Sequence, residues 1–107
     1  MLEQSILESA GYRVDLASSA EEGLEKAAAR RYGLFIVDVQ MAGMNGLQFT
    51  ALTRADPELR QIPVMLVTSL ASADDRRRGA EAGAAAYVVK GEFEQETFLR
   101  RVAELVR

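Results

Sequence analysis

Leu34-Phe35-Ile36-Val37-Asp38 decides the fold. Four consecutive apolar side chains suit a strand covered on both faces, as in a parallel sheet sandwiched by helices, and the run ends on a carboxylate. Moving outward towards the C-terminus, the loop from Gln40 to Met44 leads to Asn45, a cap for a helix that packs through Leu47, Phe49, Ala51 and Leu52 and closes before Pro57. Val64-Met65-Leu66-Val67 repeats the buried-strand pattern and ends in Thr68. Ser72-Ala73-Asp74-Asp75 opens a further helix with an acidic variant of the capping box, and Gly83 stops it. Ala86-Tyr87-Val88-Val89 is a third buried strand, ending in Lys90, after which Phe98, Leu99, Val102, Leu105 and Val106 form the apolar stripe of a last helix.

Towards the N-terminus, Ser19-Ala20-Glu21-Glu22 reads as a capping box, with Leu24, Ala27 and Ala28 at helical spacing behind it. Tyr12, Val14 and Leu16 alternate with Arg13 and Asp15, which predicts a strand buried on one face at a sheet edge. Leu2, Ile6, Leu7 and Ala10 give a helix over residues 1–10, with Gly11 as its stop. Strands and helices alternate throughout, and helical crossovers make the sheet parallel with right-handed connections. The expected class is a doubly wound, three-layer α/β domain.

The composition narrows the function. At 107 residues the chain has the size of one domain, residues 1–107. Its 13 basic and 16 acidic side chains are interspersed for a net charge of -3, which leaves no electrostatic footprint for direct nucleic-acid binding. Arg76-Arg77-Arg78 is the one dense basic run, and Asp74 and Asp75 beside it favour a solvated helix face. No apolar run approaches the roughly 20 residues needed to span a bilayer, and the first residues lack the pattern of a secretion signal. With no Cys and no His, thiolate and imidazole chemistry are excluded, and a cytoplasmic location is expected.

Asp38, Thr68 and Lys90 each close an apolar strand, and in doubly wound sheets the carboxyl ends of the strands are where ligands gather. The three groups are chemically complementary. A carboxylate can attack phosphorus to give an acyl phosphate, a hydroxyl can hydrogen-bond a transferred phosphoryl oxygen, and an ammonium can neutralise its charge.

Three segments carry a resemblance: residues 34–46, Ile62-Pro63-Val64-Met65-Leu66-Val67-Thr68-Ser69, and Gly83-Ala84-Ala85-Ala86-Tyr87-Val88-Val89-Lys90. In order and spacing they resemble the receiver domains of two-component signalling, over essentially the whole chain. Lys90-Gly91-Glu92-Phe93 is similar to receivers attached to hybrid chemotaxis-type histidine kinases. The resemblance implies a flavodoxin-like sheet with Asp38 as phosphoacceptor and Thr68 as the hydroxyl that turns towards the phosphoryl group. It makes Lys90 the counter-ion, Tyr87 the aromatic that changes rotamer, and the Gln40 backbone carbonyl, with Asp38, a ligand of Mg²⁺. The implied partner is a histidine kinase or a histidine phosphotransfer domain, whose phosphohistidine must come from elsewhere because this chain has no His.

The chain departs from the family pattern in three places. Ala42 stands where Pro is common and Asn45 where Asp is common, changes that adjust a loop without removing chemistry. The third concerns the first central strand and its acidic pair, since the sequence opens on the helix that follows them. Five buried apolar side chains at about 2 kcal/mol each would be lost with that strand, roughly 10 kcal/mol and comparable with a domain's net stability. The expectation is a piece of a longer chain, or a homodimer or strand-swapped oligomer that replaces the strand; Glu3, on a helix, is a poor substitute for the acids. Two other functions compete with signalling by phosphorylation. One is a degenerate receiver used for docking or dimerisation. The other, an aspartate-nucleophile phosphohydrolase, needs a second Asp two residues after the nucleophile, and that position is Gln40.

Overall fold

The computed structural model describes residues 2–40, 44–69, 72–90 and 94–106. Its elements in chain order are α1 (Leu2–Ser9), α2 (Ala20–Ala29), β1 (Phe35–Asp38), α3 (Gly46–Ala55), β2 (Val64–Thr68), α4 (Ala73–Ala82), β3 (Ala86–Val89) and α5 (Gln95–Leu105). The three strands pair in parallel in the order β1-β2-β3, so each apolar run of the sequence becomes one rung-forming strand. Every residue of the middle strand β2 is buried, which is why its sequence carries no polar residue before Thr68.

Alternation along the strands builds two cores, one on each face of the sheet. On one face Met65, Val67 and Ala86 meet Ile6 and Leu7 of α1 and Phe98 and Val102 of α5. On the other, Val37, Val64 and Leu66 meet Ala20 of α2 and Phe49 of α3, with Tyr87 packed at the margin. Helices on both faces of a parallel sheet make the flavodoxin-like, three-layer arrangement that the sequence predicts.

The helix ends follow the local chemistry closely. Asn45 accepts from the Gln48 N–H while the Gln48 side chain accepts from the Asn45 N–H, a complete capping box on α3. Ser72 accepts from the Asp75 N–H, and its hydroxyl donates to the Asp75 carboxylate. Gly83 ends α4 at φ 102°, and Gly11 follows α1 at φ 95°, backbone conformations that glycine adopts without strain. Ser19 caps α2 as predicted, but the box is not closed: Glu22 turns to Ser18 instead, accepting from both its N–H and its hydroxyl. Val106 lies past the end of α5 as its C-cap and does not extend the helix.

The edge strand predicted over Tyr12, Val14 and Leu16 is absent, and residues 12–17 form no ladder. The alternation is real, since Tyr12 and Val14 pack on the α1/α5 core. A strand, however, also requires a hydrogen-bonded neighbour, and this segment stands across open space from β1. Cavities of about 470 Å³ and 230 Å³ lie on the two sides of that gap, and Asp15, Leu16, Leu34, Ile36 and Asp38 line both. Side chains hold the segment instead of a ladder. The Tyr32 hydroxyl donates to Asp15 at 2.7 Å, Arg30 donates to the same carboxylate oxygen at 3.1 Å, and the Lys26 ammonium donates to the Leu16 carbonyl. The Tyr32 hydrogen bond, assisted by the Arg30 charge and opposed by partial burial, holds the Asp15 carboxyl below its usual range. Its third apolar residue, Leu16, remains 45% exposed.

Candidate functional site

The strand register places the three strand-end residues at one rim. Asp38 pairs with Val67, the residue before Thr68, and Thr68 pairs with Val89, the residue before Lys90. At this rim the Lys90 ammonium donates to Asp38 Oδ2 at 2.9 Å, and the Gln40 N–H donates to Asp38 Oδ1 at 3.1 Å. Both carboxylate oxygens are thus engaged. The side chain of Asp38 keeps 38% of its surface, so it is held in place and still open to a reactant.

The loop behind Asp38 is shaped by a residue to which the sequence reading assigned no role. The Gly46 N–H donates to the Val39 carbonyl at 3.0 Å, and a β-carbon at Gly46 would lie 2.5 Å from the Asp38 carbonyl oxygen. Only glycine lets the first turn of α3 approach the backbone of the acidic residue so closely. A glycine directly after a helix cap was the available signal. Ser69 adds a cross-link, its hydroxyl donating to Gln40 Oε1 at 3.3 Å, and so joins the loop after β2 to the loop after β1. The loop residues 41–43, with the Ala42 departure, and residues 91–93 of the hybrid-kinase motif lie outside the described residues.

Thr68 is fully buried at the end of β2. Its hydroxyl lies on the Tyr87 side of β2's end, near enough to influence that phenol, and Asp38 and Lys90 together line the larger cavity beside β1. The Tyr87 phenol is raised above its ordinary value, first by burial and then by the charge of Asp75, while Arg76 and the Thr68 hydroxyl oppose the rise. Arg76 lies over the Tyr87 ring, 5.6 Å from its centroid, whereas Arg77 and Arg78 pair with Asp74 in water. The basic run therefore divides into a solvated pair, as expected, and one residue committed to an aromatic face.

The family model of the response regulator receiver domain matches residues 1–103. The chain belongs to the receiver family. Among curated receiver-containing relatives, it is 36% identical over 103 residues to the gliding motility regulatory protein of Myxococcus xanthus, covering 96% of this chain and 13% of that protein. It is 38% identical over 101 residues to the transcriptional regulatory protein HprR of Escherichia coli K12, covering 94% of this chain and 44% of that protein. The chain thus spans less than half the length of these relatives. Among solved receivers, the chemotaxis protein CheY4 of Vibrio cholerae superposes with a TM-score of 0.88 at 30% identity, over 98% of this chain and 87% of that one. The receiver domain of the sensor histidine kinase PA1611 of Pseudomonas aeruginosa, which has a magnesium ion coordinated in its active-site cleft, superposes with a TM-score of 0.87 at 26% identity, over 97% of this chain and 84% of that one.

Receivers typically bind Mg²⁺, as the PA1611 receiver does. Among the described residues, no group of three or more Asp, Glu, His or Cys side chains could hold a metal. Asp38 brings one carboxylate with an ammonium already on it, and Asp15, which lines the same cavity, is committed to Tyr32 and Arg30. A hard dication prefers six or more oxygen ligands without a competing cation. The described residues do not by themselves make a magnesium site. No helix among them is long and apolar enough to cross a membrane.

Proposed function

We propose that residues 1–107 act as one signalling receiver, in which Asp38 takes a phosphoryl group from a phosphohistidine of a histidine kinase or phosphotransfer partner. The observation that carries this reading is the 2.9 Å contact between Lys90 and a half-exposed Asp38 at the strand-end rim. An Asp38 oxygen forms a bond to phosphorus as the phosphorus–nitrogen bond of the donor breaks, and the donor imidazole leaves with the electron pair. Lys90, already on the carboxylate, then neutralises charge on the phosphoryl oxygens. Thr68 offers its hydroxyl to one of these oxygens and releases Tyr87, whose ring changes place at the margin of α4. The output is a changed protein contact, and no multiple turnover of a small phosphate ester is expected, because Gln40 occupies the position of a phosphohydrolase's second acid.

The reading is tested with beryllofluoride, a mimic of the acyl phosphate, in the presence of Mg²⁺. Amide resonances around Asp38, Thr68, Tyr87 and Lys90 should shift in the native protein and stay still in Asp38→Asn. No shift in the native protein would remove the phosphoacceptor role from this chain.

A second reading, docking or dimerisation without phosphorylation, is favoured by the lack of a metal-holding cluster of acids among the described residues and by β1, whose only ladder partner among them is β2. An open strand edge is a template for pairing with another chain. Under this reading sedimentation shows a dimer while beryllofluoride has no effect on either the dimer or the resonances.

A further inference from the structure

A glycine in the interior of a helix costs stability relative to alanine. Gly79 sits in the second turn of α4 and is buried there, so its presence calls for a local reason. The reason is the Tyr87 ring. A β-carbon at Gly79 would stand 2.7 Å from Cδ2 and 3.1 Å from Cε2 of Tyr87, with Leu66 Cδ1 next at 3.2 Å. One turn earlier on the same helix, Arg76 places its guanidinium over the ring, 5.6 Å from the centroid. Residues three apart share a helix face, so one stripe of α4 both makes room for the ring and covers it.

We propose that Gly79 and Arg76 are positioning residues for Tyr87: the missing side chain admits the ring to the surface of α4, and the guanidinium holds it there. The proposal rests on reading Tyr87 as the aromatic that moves. The ring cannot leave its place without giving up the Arg76 contact and opening space over Gly79. Movement of the ring and adjustment of α4 are therefore one event. A cation over an aromatic face is a modest attraction at a half-exposed site, strong enough to bias the ring and weak enough to be broken.

The contact is tested by a double-mutant cycle read as urea midpoints. Gly79→Ala should lower the midpoint in the native background, where the new methyl group meets the ring. In a Tyr87→Ala background the same substitution should raise it, because alanine is then simply the better helix former. Equal lowering in both backgrounds would assign the space to Leu66 and overturn the proposal. An independent readout is the titration of the Tyr87 phenol by the chemical shift of its Cζ, identified by its loss in Tyr87→Phe. Arg76→Gln should raise that titration further, since it removes a cation facing the ring and leaves Asp75 in place. Gly79→Ala should lower it towards the ordinary value as the ring moves into water. Arg78, Glu94 and Arg101, which line the neighbouring cavities with Tyr87, are unchanged in both variants. A phenol titration that moves in neither variant would also overturn the proposal. The cycle and the titration need no phosphoryl group, so they can succeed where beryllofluoride fails, and fail where it succeeds.

Discussion

Asp38 and Lys90 form an ion pair with 38% and 48% of their side-chain surfaces in water, and exposure decides what the pair is for. A solvated pair contributes about 0–1 kcal/mol to stability, so it is a weak reason to keep two charged groups at that rim. Lys90→Ala is therefore expected to change the unfolding free energy by less than about 1 kcal/mol while slowing phosphoryl transfer to Asp38 at least roughly tenfold, the scale on which electrostatic stabilisers of a transition state act. Urea unfolding and a time course of protein mass would read the two effects separately. A large loss of stability with unaltered transfer would make the pair structural. At this scale the sequence was informative about chemistry and silent about support. Asp38, Thr68 and Lys90 were visible because each polar residue interrupts an apolar run. Gly46 and Arg76 were not, because the need for a missing side chain or a cation is created by residues that become neighbours only in the folded chain.

Among the elements, the three ladder strands were legible from their unbroken apolar runs, although only β2 is buried along its whole length, and helix starts were legible because capping is local. The segment over Tyr12, Val14 and Leu16 shows the boundary of that reasoning. Period-two alternation reports which side chains are buried, but it cannot report whether a ladder partner lies alongside. The structure ties this segment down through Asp15, Tyr32 and Arg30 instead, which has a consequence in acid. The Asp15 carboxyl is lowered in the folded state, so its contribution to stability is complete above the unfolded value near 3.8 and disappears as pH falls through the lowered folded value. Tyr32→Phe removes the main cause of the lowering. The Asp15 carboxyl should then titrate closer to its ordinary range by NMR, and amides of residues 12–17 should exchange faster at neutral pH. Unchanged titration and exchange would show that the tie has no influence on the segment.

For the molecule as a whole, the sheet order, the two cores and the common rim all follow from one register, in which β1, β2 and β3 end within a residue of each other. The fold class was readable from alternation of elements, and the convergence of the site from the rule that ligands gather at the carboxyl ends of parallel strands. The cavities beside β1 were not readable in the sequence, since a cavity has no residues of its own. Two proposals stand for this rim, a phosphoacceptor, which rests on the Asp38-Lys90 contact, and a docking module, for which the described residues group no three acids to hold a metal. Transfer itself separates them most directly. The protein is incubated with acetyl phosphate or a phosphorylated histidine phosphotransfer domain, in the presence of Mg²⁺, and the modified residue is located by peptide mass spectrometry. One phosphoryl group on Asp38, lost in Asp38→Asn, is the predicted result; an unmodified protein, or a phosphoryl group on any other residue, would contradict the account.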